Sequence, residues 1–533
     1  MRADVSPKQR LRGRTRQSGA NFTIYFPAMG APRPTPNGQV SSGQRYPLGY
    51  PLARLTKHDT LTLQDAFEGI HIFGGLGSGK TSGSGQTLAH AFLRSGFGGL
   101  VLTAKPGETE LWRRYGQQTG RAIILIGPDH PHRFNFIEYE MGRPGRGAGI
   151  ASNLVSLFEE VLEVHTPGKV LGGDPYWREA RGQLLRNAID LVRLGTDRLD
   201  FEDVVAVIRT APRRPEERDD PKWRQESRCW RLMQSALDRV EASGIQTDQH
   251  DLKVIADYFF GEFAPLDPEP RSSIVSMVGA LTDMMVRGEI RKLFLTTTNI
   301  VPDVTENGAV IVFDMPVQEY REAGRFAQVL FKTIFQRMVE RRQNRSETAR
   351  PLFLWADESQ LFSTHYDTTF QTTARESRVA TVYLTQNLPN YYDAFGSDSG
   401  GRDRTKKLLG AFGIKIFHAN GDLETNKFAE QLFGQELTWR ESESSGYSDS
   451  TGTNYSSQSK SGSSGRHQAI DFAIRAKRFT EMLRGGPQRG WTEAYAFRAG
   501  EPWKTTNSNL LYCRFPQTVQ HFPRNGRSGG GRG

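Results

Sequence analysis

The octapeptide Gly74-Gly75-Leu76-Gly77-Ser78-Gly79-Lys80-Thr81 constrains this chain more than any other feature. It fits G-x-x-x-x-G-K-[ST] and follows directly on Ile70 to Phe73, an apolar run of strand length. Glycines there let successive backbone amides converge on a phosphate, since no Cβ obstructs the turn. The lysine that closes the pattern reaches the β and γ phosphates, and the hydroxyl after it can hold magnesium. Lys80 and Thr81 occupy those two positions. A helix must follow so that its first amides face the anion, and Thr87 to Leu93 supplies the helical pattern. Nucleotide binding by Gly74 through Thr81 is the expectation.

Such a loop needs a second, acidic strand to complete the metal shell and aim water. Leu352-Phe353-Leu354-Trp355-Ala356-Asp357-Glu358 has the required form: apolar residues bury the strand and two acids emerge at its C-terminal edge. Asp357 is expected to share magnesium with Thr81, and Glu358 to polarise the attacking water. An Asp-Glu pair favours hydrolysis over transfer to a small acceptor. Guanine selection uses N-K-x-D, and the nearest approach, Asn426-Lys427-Phe428-Ala429, lacks the acid, so ATP with Mg2+ is expected. The kinase elements H-R-D and D-F-G are missing.

Short apolar runs bounded by Gly or Pro recur at 70–73, 100–103, 122–126, 309–313, 352–356, 379–384 and 414–418, alternating with helical patterns. Together they predict an α/β fold with a buried, mostly parallel central sheet flanked by helices. Phe326, Leu330, Ile334 and Met338, spaced by four with Arg and Lys on the other face, predict a helix covering one side of it. Between Ile126 and Ala309 strand signals fade, and stripes such as Leu154, Leu157, Phe158, Val161 and Leu162 predict an all-α insertion. Residues 440–468 are nearly free of large apolar groups, so they are expected to form a Ser/Gly-rich disordered loop that cannot repay its ordering entropy.

Charge excludes less than its total suggests. The net charge is +10, but residues 1–20 carry +5 and Arg524, Arg527 and Arg532 lie in the last ten residues, leaving about +2 for the rest. Two basic tails bind polyanions loosely, by counterion release. No run approaches the roughly 18 apolar residues that cross a bilayer, and Cys229 and Cys513 alone make neither a disulfide scaffold nor a thiolate metal site. A cytoplasmic protein is expected. His130 and His132 flank a proline without a third ligand pattern beside them.

The order of these pieces closely resembles the TraG/TraD-type coupling proteins of conjugation and type IV secretion, over about residues 65 to 517. The marks are Leu102-Thr103-Ala104-Lys105-Pro106-Gly107-Glu108, Phe134-Asn135-Phe136, Asp174-Pro175-Tyr176-Trp177-Arg178-Glu179-Ala180, Val379 through Gln386, Gly421-Asp422-Leu423-Glu424-Thr425, and Phe515-Pro516-Gln517. The resemblance implies a RecA-like P-loop ATPase of the HerA/FtsK group, with an all-α insertion, forming a homo-hexamer that moves DNA at the expense of ATP. It implies that Gln386 is a polar sensor beside the Asp-Glu pair. It also implies that Arg375 reaches a neighbouring subunit's nucleotide, with Arg378 as the alternative. The corresponding organisation is an arm over 1–44, an ATPase domain over 45–145 and 303–520, the insertion over 146–302, and a basic tail over 521–533. Partners implied are DNA, a relaxase or relaxosome, and secretion-channel proteins.

Two departures stand out. Membrane-anchored members carry N-terminal spanning helices where this chain has a basic, Pro-rich arm, so recruitment to the inner membrane is expected to be peripheral, without direct insertion. Ala104 replaces the usual acid before Lys105. Two other readings remain open: a HerA/FtsK-like duplex pump in repair, segregation or defence, and a nucleotide-gated assembly scaffold.

Overall fold

The computed structural model describes residues 45–165, 175–342, 346–452, 455–486 and 488–517, so the expected arm and basic tail lie outside the described residues. Strands β1 (Pro51–Arg54) and β2 (Thr60–Thr62) form a small antiparallel pair. The seven apolar runs read from the sequence become β3 (Ile70–Phe73), β4 (Gly98–Leu102), β5 (Ile123–Ile126), β6 (Val310–Phe313), β7 (Leu352–Ala356), β8 (Val379–Thr385) and β9 (Ile414–His418). All seven lie parallel in one sheet. After the ribbon β10 (Gln435–Gly452) and β11 (Tyr455–Phe472), strands β12 (Trp491–Arg498) and β13 (Leu510–Pro516) extend that sheet antiparallel, giving the order β13-β12-β9-β3-β8-β7-β4-β6-β5.

The near-continuous apolar composition of the parallel strands follows from burial on both faces. Along β7, Leu352, Leu354 and Ala356 enter one hydrophobic core while Phe353 and Trp355 enter the other. Burying a large side chain of this kind stabilises by about 1.5–3 kcal/mol. β12 and β13 were not singled out in the sequence, because their apolar residues are interrupted by Glu493, Arg498, Arg514 and other polar groups. The β13 edge shows half-buried alternation, whereas β12 is buried through most of its length.

The helix over Val317–Glu340 packs on one face; its exposed charges, Glu319, Arg321 and Glu322, lie in the first turns, and the charged stripe expected from the spacing by four is interrupted farther along. Gln328, Lys332 and Gln336 are buried as well. Lys332 is accommodated because its Nζ donates to the Phe362 carbonyl at 2.7 Å and pairs with Asp367 at 2.5 Å, replacing the water it loses. Between β5 and β6 the described elements are helical, among them Ala151–His165, Pro175–Gly195, Phe201–Thr210, Arg228–Ser243, Gln246–Asp257 and Pro268–Met285. Their buried faces include Leu154, Leu157, Phe158, Leu184, Ala188, Val192, Ile274 and Val278.

The expectation of a disordered loop over 440–468 is corrected. Its described residues, 440–452 and 455–468, lie in the antiparallel ribbon of β10 and β11, paired from Gln435–Phe472 to Gly452–Tyr455. Side chains of this composition bury little apolar surface. A ladder is made by backbone N–H and C=O groups, which Ser and Gly carry as well as Val does. Leu437, Trp439, Tyr447 and Ile470 remain exposed on it.

Candidate nucleotide site

The site lies at the C-terminal edge of the sheet, where β8 separates the phosphate-loop strand β3 from the acidic strand β7. The loop needs glycine at two positions in particular. Gly77 and Gly79 have φ of +68° and +87°, and a Cβ on Gly79 would meet Thr492 at 2.9 Å. Thr492 of β12 also donates its hydroxyl to the Ser78 carbonyl at 2.6 Å, so the antiparallel extension braces the loop from behind. Gln517 adds a second brace, donating to Ser82 Oγ at 2.7 Å and accepting from the Gly486 N–H at 2.7 Å. Beyond Lys80 the chain makes a wide π-turn over Thr81–Gly85 and continues as the α-helix Gln86–Arg94. Leu76 at the loop tip is exposed.

Lys80, Asp357 and Glu358 are all buried. Thr81 Oγ1 donates to Asp357 Oδ2 at 2.7 Å, which brings together the two oxygens expected to share a metal. Glu358 sits in the left-handed region, with φ of 50° and ψ of 48°. For a residue with a side chain this costs of order 1 kcal/mol or more, and here the turn directs the carboxylate toward the loop. Its Oε1 accepts from Lys105 Nζ at 2.8 Å and Gln386 Nε2 at 2.9 Å, and Lys80 Nζ lies 3.8 Å away. Gln360 Nε2 donates to Oε2 at 3.1 Å. Burial alone would push the Glu358 pKa up, but Lys80, the Gln386 bond and Lys105 outweigh it and hold it down to about 2. The carboxylate is therefore an anion suited to orienting water.

Lys105 and Glu108 belong to this cluster, although the sequence marked them only as part of a family motif. Burial would lower the Lys105 pKa, yet Asp357, Glu358 and Glu108 together raise it. Glu108 is pushed up by burial and then by Asp357, and its Oε2 accepts from the Ala104 N–H at 2.7 Å. Gln386 is where the sequence placed it, just past β8. The Asp422 carboxylate accepts from the Thr425 N–H at 2.7 Å, so Gly421 to Thr425 is a helix N-cap.

The two candidate arginines separate clearly. Arg378 is buried, donates to the Tyr46 carbonyl and stacks over Phe67, so it is structural. Arg375 is half exposed, with its Nη1 3.7 Å from Glu68 Oε1. It precedes the N-terminal end of β8, whereas Gln386 follows the C-terminal end. A seven-residue strand spans about 23 Å, which puts Arg375 out of reach of its own chain's loop. His130 pairs with Asp314 at 2.7 Å, and among the described residues no group of His, Cys, Asp and Glu could hold a metal by itself. Cys229 and Cys513 are buried and unpaired, and no described helix is long and apolar enough to cross a membrane.

His418, at the end of β9, supports the loop from below. Its Nδ1 donates to the Glu493 carbonyl at 2.9 Å, leaving Nε2 to accept from Ser84 Oγ at 2.7 Å. Burial holds its pKa down to about 3. Because the unfolded value is near 6.5, the unfolded chain takes up the proton first. His418 thus stabilises the fold fully above pH ~6.5, and less as pH falls from there toward 3. Acidifying from pH 7.5 to 5 should cost about 2 kcal/mol from this residue, and His71, buried with its pKa also lowered, adds in the same direction. His418→Gln should lower stability at pH 7.5 but flatten its decline toward pH 5 in thermal unfolding. An unchanged pH slope would show that His418 titrates normally in the fold.

Comparisons with known proteins agree with this geometry. Residues 351–471, from β7 through most of the ribbon, match the family model described as the TraM recognition site of TraD and TraG. No curated protein matches the sequence. Among solved structures, the bacterial conjugative coupling protein TrwBdeltaN70, in a trigonal form in complex with sulphate, is similar with a TM-score of 0.56 and 13% identity, over 87% of this chain and 88% of that one. The plasmid coupling protein TrwB in complex with the non-hydrolysable ATP analogue ADPNP gives 0.55 and 13%, over 86% and 87%. The same protein in complex with ADP and Mg2+ gives 0.53 and 13%, over 95% and 97%. These likenesses are of fold, a large and mostly parallel sheet flanked by helices.

Proposed function

We propose that this chain is an ATP-driven DNA translocase of the conjugative coupling type, delivering DNA or nucleoprotein to a type IV secretion channel. The observation that carries this reading is the convergence at one sheet edge of Lys80 from β3, Gln386 from β8 and Asp357 and Glu358 from β7. The match of residues 351–471 to the coupling-protein family model supports the same reading.

The residues suit Mg2+ and ATP. Lys80 and the loop amides would hold the phosphates, and Thr81 with Asp357 would hold the metal, which neutralises phosphate charge when bound. Glu358 orients a water in line with the γ phosphorus. The water oxygen bonds to phosphorus as the bridging P–O bond breaks, ADP departs with the electron pair, and the proton leaves with the phosphate. Gln386, bonded to Glu358, would report the presence of the γ phosphate to β8.

In this proposal the working form is a homo-hexamer in the cytoplasm, recruited peripherally to the inner membrane, with channel contacts made to DNA phosphates. The surface formed by 351–471 would face a relaxosome component of the TraM type. The test is ATP hydrolysis measured alone, with single-stranded DNA and with duplex DNA. Stimulation by DNA is the expected result, whereas slow turnover indifferent to both would favour a nucleotide-gated scaffold and refute translocation.

A further inference from the structure

Lys105 is a cationic side chain at this site that neither the phosphate-loop pattern nor the Asp-Glu pair explains. It follows β4, which flanks β7 on the side away from β3. Lys105 and Lys80 therefore come from opposite sides of β7 to the same Glu358 oxygen, at 2.8 Å and 3.8 Å. Adjacent strands are about 4.8 Å apart, so β4 and β3 are separated by roughly 14 Å. Of the two lysines, Lys105 is the one at hydrogen-bond distance from that carboxylate oxygen.

The turn that aims Lys105 is fixed locally. The Ala104 N–H donates to Glu108 Oε2 at 2.7 Å, and the Glu108 N–H donates to the Lys105 carbonyl at 3.1 Å, closing the link from β4 to the helix Gly107–Thr119. Alanine at 104 places no carboxylate directly before Lys105 to compete for its ammonium, and one oxygen of Glu108 is engaged by backbone.

We propose that Lys105 is a positioning residue for ATP hydrolysis, holding the Glu358 carboxylate in its water-orienting place after Lys80 has been drawn to the phosphates. This role rests on the ATPase reading above. Phosphates compete with Glu358 for Lys80, the nearer of the two lysines to the loop. Once Lys80 turns to them, Glu358 faces the like charge of Asp357 with Gln386 and Gln360 as neutral donors and Lys105 as its cation. Charge-assisted bonds are roughly twice as strong as neutral ones, and Glu358 is held in a costly backbone conformation. Loss of Lys105 would therefore release the carboxylate from its place.

The test is a double-mutant cycle on the full chain, read as phosphate release with and without DNA. Lys105→Ala should lower kcat about 10- to 30-fold, with KM for ATP and affinity for a non-hydrolysable analogue within about two-fold. Lys105→Arg should recover part of the loss, and Lys105→Met, which keeps the apolar stem, serves if alanine fails to fold. In a Glu358→Gln background, itself slowed by about 10², Lys105→Ala should cost less than about two-fold more, because the group it acts through has lost its charge. Losses that multiply, a rise in KM matching the fall in kcat, or wild-type turnover by the Lys105 variants would each overturn the role. A wild-type chain that hydrolyses no ATP would overturn the ATPase reading and this role together; multiplying losses in an active enzyme would overturn this role alone.

Discussion

Replacing Lys80 with alanine should reduce ATP turnover to background while leaving the fold intact. Lys80 is buried beside Glu358, and under the proposed function it would be the cation that meets the β and γ phosphates. Without it, the phosphates would enter a pocket lined by Asp357 and Glu358, with Lys105 coming from the far side of β7. One unit charge at about 4 Å is worth roughly 4 kcal/mol at the effective dielectric of such sites, so a loss of about 10³ or more in kcat/KM is expected. Phosphate release measures the rate, and thermal unfolding shows whether the fold survives. Near wild-type turnover in a folded variant would remove the phosphate-loop assignment.

Arg375→Ala is expected to lose about 10² to 10³ in rate while each subunit still binds ATP. Arg375 lies at the opposite end of β8 from its own Gln386 and is half exposed. If it serves catalysis, it serves a neighbour's nucleotide, as an arginine supplied in trans to the transferring phosphoryl group. Hydrolysis should then rise with protein concentration as rings form. Mixing Arg375→Ala chains with Lys80→Ala chains should restore part of the activity, because some interfaces would pair an intact Lys80 with an intact Arg375 from the other chain. Arg378 is not available as a substitute, since burial and its bond to the Tyr46 carbonyl tie it into the fold. A fully active monomer, or mixtures that never recover, would show that no arginine is shared.

The sequence by itself determined the seven parallel strands of the sheet and the two poles of the site. Its parallel strands are buried on both faces, which forces short runs of Val, Ile, Leu and Phe that can be read one by one, and a phosphate loop carries its own local geometry in the spacing of its glycines. Asp357 and Glu358 were legible because they end such a run, whereas Gln386 was marked only by the resemblance to the coupling-protein family. Tertiary structure decided what depends on strands distant in sequence coming to lie side by side. Only the order β3-β8-β7-β4 brings Lys105 onto Glu358, across 253 residues of chain. Only the pairing of β12 with β9 sets Thr492 behind Ser78, 414 residues away. Lys332 reads as the solvent face of a helix until Asp367 and the Phe362 carbonyl are found beside it. The ribbon over 435–472 eluded a reading by side chains because its ladder is made by the backbone, whose hydrogen-bonding capacity hardly varies with sequence. Arg375 and Arg378 stand three residues apart in similar company, and only burial, set by Tyr46 and Phe67 from the start of the described chain, tells the structural arginine from the one left facing outward.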